Sequence, residues 1–244
     1  MSAICVAALV GCAHLPKPDG AAGPSYRDAA YLDAGAAKSL LVEIDYVEGT
    51  SPRPRSIGTL LKQIDLYLDK PGGVEVVLDD LIPRDEWRED PRAIRQIAYR
   101  YRSQEAPEGG TVLHILYGPG YRKYRGFAWP RWTMQEDDPD YGAGLMVVLQ
   151  DRLKPIAWVT GVKQESNVLV HELGHLLGLA TNPGHSTKAH CTNAHCLMYD
   201  GVDARTFWLY FFPTLFTGYL PLDFCSDCRQ DLYGPWAGVP PGQR

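Results

Sequence analysis

The sequence has no stretch in which Lys and Arg crowd together among aromatics, and its formal net charge of -5 points away from nucleic-acid phosphates as a partner. It also lacks an uninterrupted apolar run of the length that crosses a bilayer. The strongly apolar segment at residues 206–222 is broken by Pro213, Gly218 and Pro221, which suits a core wall or the lining of a substrate pocket better than a membrane span. No internal repeat is visible. Cysteine is scarce: there are six in 244 residues, and four of them, Cys191, Cys196, Cys225 and Cys228, lie close to one another late in the chain. What remains is ordinary for a soluble globular protein, with 45% hydrophobic and 22% charged residues. The length supports one sizeable domain, or two small lobes around a cleft.

The first residues read as a targeting segment rather than as structure. A short apolar run from Ile4 ends in Leu9-Val10-Gly11-Cys12, which resembles a bacterial lipobox, although Met1, Ser2 and Ala3 carry no positive charge ahead of it. The expected organisation is a lipoprotein signal peptide over 1–11, a lipid on Cys12, a flexible Ala/Gly/Pro-rich tether over 12–37 and a folded domain over 38–244. Lipid anchoring implies the cell envelope and contact with a membrane that the chain does not cross. Ala13 after the cysteine implies, by the same resemblance, the outer membrane facing the periplasm.

Apolar spacing predicts strands over 40–47, 74–78, 111–117 and 144–149, and helices over 57–68 and 91–101, the second opened by Pro91. Strand and helix in alternation imply an α/β (α+β) fold, a twisted sheet with helices against it. Residues 118–142 are aromatic and irregular, and suit a surface loop or cleft rim.

A helix over 168–179 carries His171-Glu172-Leu173-Gly174-His175. Residues four apart on a helix stand one turn above each other, so both imidazoles can face one ion. Glu172 can then reach a water held on that ion, whose pKa zinc lowers toward 7. Val168, Leu169, Leu173, Leu176 and Leu177 surround these polar groups, and burying them is costly unless something such as a metal satisfies them. A catalytic zinc takes a third protein ligand, and Thr181, not His, stands where H-E-x-x-H-x-x-G-x-x-H places it after Gly178.

Downstream come His190-Cys191, then His195-Cys196-Leu197-Met198, then Phe224-Cys225 and Cys228. This order resembles the archaemetzincins, a family of metzincin-like zinc metallopeptidases, with an insertion of roughly TNPGHSTKA ahead of His190. The resemblance covers about residues 168–232. It implies a two-lobe catalytic domain with an irregular C-terminal lobe. His171, His175 and His190 would be the zinc ligands, Glu172 the general base and acid, and Met198 the methionine of a turn beneath the metal. His185, inside the insertion, is the alternative third ligand. His14, His114 and His195 are given no metal role, and Tyr199 reads as a packing residue or an oxyanion donor. The resemblance makes Cys191, Cys196, Cys225 and Cys228 a second, structural Zn2+ site, whereas an exported chain also allows disulfides among them.

The expected activity is peptide-bond hydrolysis through a zinc-bound water activated by Glu172. The alternatives are a zinc amidase acting on a non-peptide amide and a catalytically silent zinc-binding lipoprotein. The expected partners are a peptide or protein substrate and a membrane reached through the lipid, with no nucleic acid, and the chain is expected to be a monomer.

Overall fold

The computed structural model describes residues 28–121, 124–130, 144–153, 157–199 and 223–233, without the side chains of 152 and 157–163. Cys12, His14, the proposed signal and the apolar segment at 206–222 lie outside the described residues. Among the described residues no helix is long and apolar enough to cross a membrane.

The elements run α1 (Ala29–Leu32), β1 (Ser39–Val47), α2 (Pro54–Tyr67), β2 (Val74–Ile82), α3 (Pro91–Tyr101), β3 (Gly110–Gly118), β4 (Gly126–Trp129), β5 (Gly144–Leu149) and α4 (Ala157–Leu176). Among the described residues, α4 is followed by the short strands β6 (Ser186–Thr187) and β7 (His190–Cys191) and the helix α5 (Ser226–Tyr233). Five strands form one mixed sheet in the order β2-β1-β3-β5-β4, parallel except where β4 meets β5. This is the mixed α/β architecture that the alternation implies.

Side chains on β3 alternate between two cores, as the period of a strand requires. Leu113, Ile115 and Tyr117 join Val42, Ile44, Met146 and Val148 beneath α2 and α4, where Leu60, Ile64, Leu169 and Leu173 complete the layer. Leu116 faces the other way, with Val47, Val147 and Leu149, against Ile94, Ile97 and Ala98 of α3. Helices therefore cover both faces, as a largely parallel sheet demands.

Helix α3 begins where its sequence says it should, with the Asp90 carboxylate accepting from Ala93 N at 3.0 Å and Pro91 in the first turn. Other expectations need correction. Residues 28–37, read as part of the tether, belong to the packed structure: Tyr31 is fully buried, and its hydroxyl donates to Val112 O and accepts from Gly144 N, both at 2.7 Å. One buried tyrosine anchors a stretch whose small residues read as tether. The segment expected to be irregular contains β4, in which Phe127 and Trp129 are buried edge to face with ring centroids 4.7 Å apart. Four residues are too few for alternation to declare itself. Helix α4 starts eleven residues before the expected position and runs through Val159, Thr160 and Gly161, residues of weak helix propensity.

Candidate metal centre

Helix α4 lies across β5 and β4 and carries the histidine pair. Its C-terminus closes in a Schellman arrangement: Leu179 N donates to Gly174 O at 2.9 Å and Gly178 N to His175 O at 3.1 Å. Gly178 supplies the left-handed residue this needs, with φ of 86°. Two turns before Glu172, the fully buried Glu165 accepts from Arg53 N at 2.9 Å and pairs with Arg53 Nη1 at 2.8 Å. Gln150 Nε2 adds a contact at 3.2 Å, so this network pins the start of α2 to α4. Burial raises Glu165 above the ordinary carboxylate range, against the lowering influence of Arg53. The sequence reading did not single Glu165 out; a charge in line with an apolar helix face was its signal.

The insertion folds as a hairpin that delivers His190. Thr187 pairs with His190 and Ser186 with Cys191, which leaves Lys188 and Ala189 as a two-residue turn. Both turn residues have positive φ, 49° and 62°, as a type I′ turn requires, although neither is Gly or Asn. Beyond the hairpin the chain returns under the helix. Cys191 N donates to Met198 O at 2.9 Å, and Leu197 N to Asp223 O at 3.1 Å. Gly174 makes room for this return, since a Cβ there would lie 2.3 Å from Met198 Sδ and 3.0 Å from Phe224 Cε1. Met198 is thus fully buried against the turn of α4 between the two histidines.

One potential ligand atom from each of His171, His175 and His190 falls within 4.8 Å of the other two. His171 and His190 are buried, and His175 is half-buried. His171 Nδ1 lies 2.6 Å from Leu197 O, and His190 Nδ1 lies 2.9 Å from Lys188 O. A carbonyl only accepts, so each Nδ1 carries the hydrogen and each neutral ring presents its Nε2 lone pair. His171 Nε2 and His175 Nε2 stand 3.1 Å apart, close to the ~3.4 Å separation of two nitrogens on one tetrahedral zinc. Three imidazole donors, two of them with tautomers set by backbone acceptors, fit a catalytic zinc. Glu172 is fully buried beside them, and its Oε1 faces Gly126 on β4, where a Cβ would come within 3.0 Å.

His185 does not join this group. Its Nε2 lies 2.7 Å from Asp231 Oδ2 on α5, and its Nδ1 is 3.8 Å from Cys191 Sγ. His185, the alternative third ligand, precedes the hairpin turn, on the side that faces α5. His195 is exposed between the cysteines. His114 lies in β3, buried against Asp45. Tyr199 is half-buried next to Met198, with its N–H given to Cys196 O at 3.0 Å.

The cysteines form a second cluster. One sulfur from each of Cys191, Cys196, Cys225 and Cys228 lies within 4.8 Å of the others, and all four are free thiols. Sγ separations of 3.7 Å for Cys191 and Cys225 and 3.6 Å for Cys196 and Cys228 match the ~3.8 Å between thiolates on one zinc, not a sulfur–sulfur bond. Backbone N–H groups of Asn193 and Cys225 point at Cys191 and Cys196 at 3.4 and 3.3 Å. A hydrogen bond from Cys228 holds the Cys196 thiol down to about 5, while burial pushes Cys191 up to about 12. Four clustered sulfurs, three of them buried, ionise together only around a cation, so this donor set also fits zinc.

No family model matches the chain, and no curated protein matches it. Among solved structures it is similar to the archaemetzincin of Methanopyrus kandleri, at 19% identity and a TM-score of 0.47, over 82% of this chain and 95% of that one. At that distance the chemistry rests on this chain's own side chains.

Proposed function

We propose that the chain is a zinc-dependent hydrolase that cleaves peptide bonds, with Glu172 as its proton carrier. The observation that carries this reading is the convergence of His171, His175 and His190, two of them with tautomers set by backbone carbonyls, beside a buried glutamate. When bound there, zinc supplies Lewis acidity and brings water toward ionisation near neutral pH. Glu172 takes the proton of the attacking water and returns it to the departing amine. The low polarity around Leu169, Leu173 and Leu176 keeps that proton local.

A peptide is the favoured amide because β4 is the last strand of its sheet among the described residues, antiparallel to β5 and beside α4. Its outer edge offers main-chain groups to an extended chain, which β-augmentation would align past Glu172.

The replacement Glu172→Gln tests the reading. It keeps size and hydrogen bonding but not basicity, so turnover of a peptide library should fall by at least about 100-fold, the lower bound for a general base. Zinc content should be unchanged. Undiminished turnover in the zinc-loaded variant would sink the mechanism.

A further inference from the structure

The α3 face of the sheet is apolar except at one place. On β1, Glu43 and Asp45 point to that face together with Val47, and both acids are fully buried. His114, buried at 2% exposure, stands opposite Glu43 in register on β3, and its Nε2 lies 2.8 Å from Asp45 Oδ2. On β2 the register slips by one residue, so that Ile44 faces Leu78 while Tyr46 faces Leu81. This bulge turns Asp80 N onto Asp45 Oδ1 at 3.0 Å and leaves Asp79 alongside the two buried acids. One oxygen each from Glu43, Asp45 and Asp79 falls within 4.8 Å of the others.

The segment after α3 organises the outer side. Glu43 Oε1 accepts from Ser103 N at 2.6 Å and Gln104 N at 3.2 Å. Asp79 Oδ2 accepts from Ser103 Oγ at 2.6 Å and Gln104 Nε2 at 2.7 Å. Glu43 Oε2 is different. It is buried and has no hydrogen-bond partner among the described residues, on a side chain that is 0% exposed. A carboxylate oxygen in that position is costly unless a ligand or a proton meets it. Burial favours the proton, while the two backbone N–H donors and His114 favour the ionised form.

We propose that Glu43, Asp45 and Asp79 form a binding site for a hard divalent cation of calcium's class, separate from both zinc clusters. An all-oxygen donor set suits such an ion, and oxygens bound at about 2.3–2.6 Å lie no more than about 5 Å apart across it. His114 orients Asp45 from behind, in the way that bound carboxylates are commonly supported. Half-buried Asp79 gives the ion its route from solvent. Bound there, the cation ties β1, β2 and the end of α3 into one unit.

The test uses the full chain, loaded with zinc so that the nitrogen and sulfur clusters are filled, and Ca2+ as the probe. Calcium at millimolar concentration should raise Tm by roughly 3 °C or more, as expected for a ligand well above its Kd. Titration calorimetry should show one equivalent bound. Asp79→Asn and, independently, Glu43→Gln should remove both responses. No heat and no shift in the parent protein would overturn the site and leave the proton as the partner of Glu43. A calcium response that survives both substitutions would overturn it too.

Discussion

The two halves of the nitrogen cluster are built in opposite ways. His171 and His175 stand on a regular helix, where a one-turn spacing alone brings them together and a glycine-closed terminus ends the element cleanly. His190 comes from a two-residue hairpin turn that holds a lysine and an alanine in the left-handed region, where a side chain costs roughly 1–2 kcal/mol. Glycine stands on the helix at Gly174, where contact with Met198 demands it, and is absent from the turn, where the backbone would favour it. Local geometry supplies one half. Long-range contacts hold the other in place against its own conformational preference.

Removing the third donor breaks this comparison most severely. His190→Ala should weaken zinc binding at the nitrogen cluster by more than about 100-fold in a chelator competition, since loss of a supporting partner alone costs 10–100-fold. His185→Ala should leave that affinity within about 10-fold, because His185 is engaged with Asp231. Equal losses would mean that the hairpin, not the imidazole, is what counts. Next in size is Gly174→Ala. The new methyl group meets Met198 Sδ at 2.3 Å, so denaturant unfolding should show a loss of about 1–3 kcal/mol despite alanine's better helix propensity. A gain would mean that the chain returning under the helix yields freely.

The opposite substitution on the other half should have the opposite sign. Ala189→Gly, at a φ of 62°, should stabilise the chain by up to about 1 kcal/mol and leave zinc binding intact. A loss of stability would show that the turn is not strained. The smallest effect is one of pH and belongs to the helical half. Glu165 is raised from 4.5 in the folded chain, so the folded state holds this proton more tightly than the unfolded one. Its contribution is therefore complete below the ordinary carboxylate value and declines as pH rises through the raised one. The Tm of the parent protein minus that of Glu165→Gln should fall as pH increases above about 4.5. A difference that grows over that interval would reverse the assignment.

Legibility in the sequence follows the same division. The spacing of His171 and His175 and the cap at Asp90 are short-range and could be read directly, as could the long strands β1, β3 and β5. His190 could be placed only through the order of Cys191, Cys196, Met198, Cys225 and Cys228, because a hairpin turn built on Lys188 and Ala189 carries none of the usual Asn-Gly signal. Strand β4 was too short to alternate, and the start of α4 is helical against the propensities of Val159, Thr160 and Gly161. Glu43 and Asp45 were read as part of a strand, yet two acids on one face of a strand covered by helices are a departure from the pattern that deserved a reason. What the sequence could not show is depth: Tyr31 and Asp45 look like surface residues until the sheet and its helices close over them.

His190 and Cys191 are neighbours in the chain, one in the nitrogen cluster and the other in the sulfur cluster. Whatever occupies the sulfurs clamps the base of the hairpin, and through Met198 O it also holds the segment whose Leu197 carbonyl orients His171. The state of the sulfur cluster and the placing of the third nitrogen donor are therefore mechanically coupled. Disturbing the sulfurs should displace His190 as well, although no cysteine belongs to the nitrogen cluster.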